Sequence, residues 1–257
     1  VGAAPRVEPD MTATSRATDT LILTLVVLIV WQVLHQVVGG TALPGPGSTL
    51  SYLARLLPTQ RFIDNAAATM TAFGGALLLA YAIGLAIGIW MGAHRLSGAV
   101  GEPILVAVYS MPKITLFPVI LLIFGLGISG KIAFGALHGV LPVALFTMGA
   151  IRNIPPVYLK AARTLHLSRW QMIATVMMPA TLPEVVAGLR IGFSLTLLGV
   201  LLGEMFASKR GLGALIMNAV SLVQPEEMLT VALVLFVFAA SANAVLLWVE
   251  RRLHRRV

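Results

Sequence analysis

The stretch 66-AAATMTAFGGALLLAYAIGLAIGIWM-91 decides the fold. No charged side chain interrupts it from Ala66 to Met91. As a helix it is about 39 Å long at 1.5 Å per residue, more than the roughly 30 Å hydrocarbon core of a bilayer. Lipid offers no partner for backbone N–H and C=O groups, so an uninterrupted run of this length must close its own hydrogen bonds as a helix. Gly84, Gly88 and the adjoining Gly92 repeat every four residues. Such a stripe of small residues lets another helix approach closely, within the chain's own bundle or across a dimer.

Five further apolar runs flank this one: Leu21–Val38, Ile104–Phe124, Ile132–Ile151, Val185–Ala207 and Met228–Val249. The 257 residues are 58% hydrophobic and 11% charged, with a mean hydropathy of +0.92, too little charge to cover a soluble domain. The short alternating segments of a β-barrel are absent from the sequence. The expected fold is all-α, a polytopic membrane bundle of about six transmembrane helices. The net charge of +8 does not point to nucleic acid. With the N-terminus in the cytoplasm, 11 of the 18 cations fall in cytoplasmic segments and 5 outside, as the positive-inside rule requires. There is no cysteine, and the five histidines are scattered, so neither a disulfide frame nor a metal site is expected.

Three regions follow. Residues 1–20 are polar and small, and read as a mobile N-terminal tail. Residues 21–64 hold the first membrane helix, which no cleavage site follows, and an external loop. In that loop Gly39-Gly40 and Leu43-Pro44-Gly45-Pro46-Gly47-Ser48 stop the helix before a short amphipathic segment, Leu50–Leu57. Residues 65–257 form the core.

One connection in the core differs from the rest: 152-RNIPPVYLKAARTLHLSRWQMIATVMMPATLP-183. Pro155-Pro156 opens a helix. Tyr158–Leu165 has helical periodicity, with Leu159, Ala162 and Leu165 on one side. His166–Ser168 reads as a turn with Ser168 as N-cap, and Arg169–Met178 as a second short helix ended by Pro179. The pattern describes a cytoplasmic knob of two short helices.

The run Gly125-Leu126-Gly127-Ile128-Ser129-Gly130-Lys131 touches three signatures. The dinucleotide fingerprint needs a strand before it, and here a membrane span precedes. The P-loop needs a hydroxyl where Ile132 stands. The sequence Gly127-Ile128-Ser129-Gly130 resembles the nucleophile motif of rhomboid intramembrane proteases, but a serine needs a base in reach. The only histidine in a later span is His138, close behind Ser129 in sequence. A glycine-rich turn is the simpler reading.

The segment 152–183 also resembles the cytoplasmic EAA loop of permease subunits of binding-protein-dependent ABC importers. Ala161, Ala162 and Pro179 match its fixed positions, with Val176 and Met178 at its aliphatic ones. Lys160 stands where that family has Glu, and His166 where it has Gly. A residue tolerant of positive φ therefore replaces the glycine. Glu102-Pro103, Met111-Pro112-Lys113, Phe117-Pro118, Gly188-Leu189-Arg190, Glu204-Met205 and Gly211-Leu212-Gly213 extend the similarity, which looks like the nitrate/sulfonate/taurine branch. The resemblance implies a non-catalytic subunit of the bacterial inner membrane, with both termini cytoplasmic and a second copy as partner. It further implies two cytoplasmic ATPase subunits, which hold the ATP and Mg, and an extracytoplasmic binding protein. This chain would carry no cofactor. Tyr158, Lys160, Ala161, Ala162, Leu165, His166, Leu167 and Pro179 would couple to the ATPase. An autonomous transporter or channel is the alternative; no internal inverted repeat supports it.

Ionisable residues within spans mark candidate pathway positions. They are Lys113, next to the helix-breaking Pro112, together with Arg190 and Glu204. A cationic lining would suit a small anion such as a sulfonate, nitrate or carboxylate.

Overall fold

The computed structural model describes residues 13–254, with side chains described for 18–253. The first helix, α1 (Ala13–Val38), begins inside the segment expected as a tail. Residues 1–12 of that expectation lie outside the described residues. No part of the apolar stretch of α1 is buried. The chain leaves it through Gly39 at φ 94°. Trp31 Nε1–H donates to Pro44 O (3.0 Å), and His35 Nδ1 lies 2.6 Å from Leu43 O, fixing the returning loop against the helix.

Pro46 starts α2 (Pro46–Leu56), where its missing N–H is no loss. This helix lies against the start of α11 (Pro225–His254). Arg61 grips the buried Glu227 with its two terminal guanidinium nitrogens, at 2.9 Å and 3.3 Å, and Tyr52 O–H donates to the same carboxylate at 3.3 Å. Glu227 sits in the first turn of α11, where a carboxylate also meets the positive helix end.

The centre is three helices packed against one another. Thr59 caps α3 (Gln60–Ala93), its Oγ1 accepting from Phe62 N–H at 3.2 Å. The 34 residues of α3 make a rod of about 51 Å that overreaches the bilayer core. It packs along α6 (Ile128–Arg152), α6 packs along α9 (Met178–Ala207), and α3 meets α9 directly where Phe73 and Ala76 join Leu197 and Val200 in one apolar cluster. The glycine stripe belongs to this contact. A Cβ at Gly84 would lie 2.7 Å from Val143 Cβ, at Gly88 2.5 Å from Thr147 Cβ, and at Gly92 2.9 Å from Ile151 Cβ. The stripe thus serves the chain's own bundle. Gly188 and Gly192 of α9 are as close to α6: a Cβ there would lie 2.5 Å from Phe146 and from Val143.

Two expected spans are drawn differently. Ile104–Phe124 is not one rod: α4 (Arg95–Ser110) stops before Met111-Pro112, and a 3-10 turn (Lys113–Leu116) leads into α5 (Phe117–Phe124) at 89° to it. Among the described residues five helices are long and apolar enough to cross, or six if the bent pair counts as one span. The fifth span begins far earlier than Val185. After α7 (Pro156–Thr164), α8 (Arg169–Met172) continues through a π turn (Ile173–Met177) into α9, giving one apolar rod, Arg169–Ala207. Pro179 does not end it. The Met178 N–H reaches back five residues to Ile173 O, and the widened turn accommodates a proline whose ring would otherwise meet the carbonyl four residues earlier. A short helix, α10 (Leu212–Ser221), lies between α9 and α11.

Candidate functional site

The knob is built by local chemistry. Leu167 N–H donates to Ala162 O (3.1 Å) and His166 N–H to Arg163 O (3.0 Å), the paired bonds of a Schellman turn. His166 holds φ 51°, the left-handed position of that motif. Ser168 then caps α8 with a full capping box: its Oγ accepts from Gln171 N–H, and Gln171 Oε1 accepts from Ser168 N–H at 2.9 Å. Each backbone N–H from His166 to Ser168, between the two short helices, is thus hydrogen-bonded.

The two alanines differ in burial. Ala162 is 2% exposed, turned toward the π turn and the start of α9, whereas Ala161 is exposed. A hollow of about 300 Å3 between these elements is lined by Tyr158, Leu165, Leu167, Val176 and Pro179 among others. Leu165 is 70% exposed and Trp170 81%, with Val157 and Tyr158 also open. These apolar side chains share the knob surface with exposed Lys160, Arg163 and Arg169. The resemblance gave Trp170 no role; its size and position before the span were the available signal.

At the broken span, Pro112 contributes no N–H and the helix stops. The carbonyl of Tyr109 is taken by Lys113 Nζ at 2.9 Å, and the ammonium sits 4.8 Å from the Tyr109 ring centre. Lys113 therefore caps the broken end, as basic side chains do at helix C-termini. An ammonium has three donors, so others remain.

Arg190 and Glu204 brace the bundle. Arg190 Nε–H donates to Glu250 Oε2 at 2.7 Å, tying α9 to α11. Glu204 is fully buried near the opposite end of α9. Its carboxylate accepts from Thr69 Oγ1–H, 2.8 Å and 3.0 Å from its two oxygens, and from Gly213 N–H at 3.1 Å. Thr69 Oγ1 accepts from Leu212 N–H at 2.8 Å, and Asn65 Oδ1 from Gly211 N–H at 2.7 Å. Three successive N–H groups at the start of α10 are thus satisfied by side chains of α3 and α9. Gly211 sits at φ 126°, and any Cβ there would strike the Glu204 carboxylate. Lys131 completes this latch, its Nζ 3.8 Å from Glu204 and donating to Arg210 O at 2.7 Å. Sequence reasoning placed Lys131 in an outer loop. The helix in fact starts at Ile128, so Lys131 falls in its first turn and is buried.

Ser129 stands on that same first turn, its Oγ–H donating to Phe124 O at 2.7 Å. His138 lies on the same helix about 13 Å along the axis, its Nδ1 2.9 Å from Phe134 O. The pair cannot meet as nucleophile and base.

Three comparisons bear on this arrangement. Residues 84–257 match the family model described as binding-protein-dependent transport system inner membrane component. The taurine transport system permease protein of Escherichia coli is 30% identical over 247 residues, covering 93% of this chain and 90% of that protein. The putative aliphatic sulfonates transport permease protein of Bacillus subtilis is 27% identical over 235 residues, covering 91% and 85%. Among solved structures, an amino acid ABC transporter superposes with a TM-score of 0.61 over 79% of this chain and 98% of that chain, at 19% identity.

Proposed function

This chain belongs to the family of binding-protein-dependent transport system inner membrane components, and from that premise we propose how it works as the multi-pass membrane permease of an ABC importer. Two copies enclose a pathway. Cytoplasmic ATPase subunits, which carry ATP and Mg, seat on the knob, and an extracytoplasmic binding protein delivers the solute. Both termini are cytoplasmic. The solute is a small anion or anion-bearing molecule of the sulfonate, nitrate or carboxylate kind. In this reading Lys113 and Pro112 face the pathway at the broken span, while Arg190 and Glu204 hold the helices that flank it.

One observation carries the coupling role: the knob presents exposed Tyr158, Leu165 and Trp170 on a frame rigidified by back-to-back caps. A stiff element joined to a 39-residue rod transmits rigid-body movement instead of absorbing it. Lys160, Arg163 and Arg169 predict an acidic groove in the ATPase, opposite in sign to what a Glu at position 160 would select. Ala162, being buried, supports the knob from within; Ala161 and Leu165 meet the partner.

The test is co-purification with an ATPase encoded beside this gene, using Leu165→Asp. Loss of the complex with an intact, monodisperse permease is the expected result. Retention of the complex by Leu165→Asp removes the knob from the interface, and no complex with any such ATPase favours an autonomous transporter.

A further inference from the structure

At the end of the bundle opposite the knob, a cavity of about 700 Å3 opens between the first turns of α3, the segment 208–211 and α10. Its wall includes Arg61, Asp64, Asn65, Lys209, Arg210 and Asn218. Its volume lies within the range of small-molecule sites. Three N–H groups at the start of α10 are closed to it, because Asn65, Thr69 and Glu204 already occupy them. Charge recognition there falls to side chains.

Those side chains divide into committed and free. Arg61 is held by Glu227. Lys209 and Arg210 are exposed, and neither forms an ion pair among the described residues. The backbone that carries them is nonetheless fixed. Arg210 O accepts from Lys131 Nζ (2.7 Å) and Ser208 Oγ–H (2.6 Å), and Arg210 N–H donates to Ser208 Oγ (3.1 Å). Asp64 accepts a single side-chain bond, from Gln60 Nε2 at 2.7 Å, and a carboxylate has capacity for more. Two unpaired cations on a braced loop and a carboxylate with spare acceptors therefore line one cavity. A plain anion would satisfy the cations but face Asp64. A molecule carrying both charges satisfies all three.

We propose that this cavity is the permease's own receiving site for short dipolar solutes, aminoalkyl sulfonates or amino acids in chemical class. Lys209 and Arg210 take the oxyanion and Asp64 the ammonium. The proposal rests on the permease reading and deepens it, giving this chain a selectivity separate from that of the binding protein. Phosphatidylethanolamine carries the same pair of charges, so the test must separate lipid from solute.

The experiment is calorimetric titration of the purified full chain in detergent with taurine, ethanesulfonate or ethylamine. Taurine is expected to bind saturably, ethanesulfonate about tenfold more weakly, and ethylamine not at all. Lys209→Gln/Arg210→Gln should weaken taurine by about tenfold or more, the loss of one charge-assisted contact or greater. Asp64→Asn should bring taurine down to ethanesulfonate and leave ethanesulfonate no weaker. Arg251→Gln, at the other end of the molecule, should change nothing. Absence of saturable taurine binding overturns the proposal, as does equal binding by the double variant. Saturation only by phosphatidylethanolamine in mixed micelles overturns it in favour of a lipid site. ATPase co-purification is read independently, so failure here and failure of the permease reading are distinct.

Discussion

Glu204→Ala should release α10. The carboxylate is wholly buried and receives Thr69 Oγ1–H and Gly213 N–H, with Lys131 as counter-charge at 3.8 Å. Removing one partner of a buried pair costs about 3–5 kcal/mol, and each buried donor left without an acceptor about 1–3 kcal/mol. These penalties fall on the same few groups and do not add. We take about 3 kcal/mol, which raises the open fraction of the α10 region about a hundredfold. The chain has no cysteine, so a single one reports cleanly. Ala219 is 1% exposed on α10, and Ala219→Cys puts a thiol there with little change in volume. Its reaction with a water-soluble thiol reagent should accelerate about a hundredfold in Glu204→Ala. Glu204→Gln keeps one acceptor and should give about tenfold. Adding Lys131→Met to Glu204→Gln should slow labelling again, since an uncompensated buried cation is then removed. Unchanged labelling in Glu204→Ala would refute the latch.

Further outcomes follow from the packing, the knob and the break. Gly88→Leu should prevent α3 from seating on α6 and abolish a monodisperse peak on size exclusion. Gly74→Ala, where an added Cβ meets nothing within 4 Å, should be tolerated or gain up to about 1 kcal/mol in thermal unfolding. His166→Gly should keep the Schellman turn, whereas His166→Val, forced to positive φ, should cost about 1–2 kcal/mol and expose 164–168 to protease. Lys113→Met should slow uptake severalfold in reconstituted vesicles and Lys113→Arg should retain it; normal uptake by Lys113→Met would confine Lys113 to capping.

Most of the span plan was legible because long apolar runs have one solution in lipid. The knob was legible too, since Pro155-Pro156, Ser168 and the match to the EAA loop mark its turns. What sequence could not supply was rotation and reach. Ala161 and Ala162 look equivalent in a string, and only the phase of α7 against the start of α9 turns one inward. Lys131 hid in a glycine-rich run that reads as a turn until the helix start at Ile128 is known. The helix α10 is too short to register as a span, and two of its three capping groups, Asn65 and Thr69, come from residues over a hundred positions away. Pro179 carries the ordinary meaning of a stop, overridden by a hydrogen-bond pattern that sequence does not display.

That pattern makes the rod a clockwork with one extra tooth. An α-helix advances about 100° per residue, and the π turn at Ile173–Met177 sets everything before it one residue out of step with everything after. The direction in which Trp170 and the Ser168 cap point is thus an angular setting, held by a residue count and not by any one side chain. Deleting a single residue there would let the turn close as ordinary α-helix and leave the knob on its present face. Deleting one elsewhere in the rod would swing the knob by about 100°, away from that face.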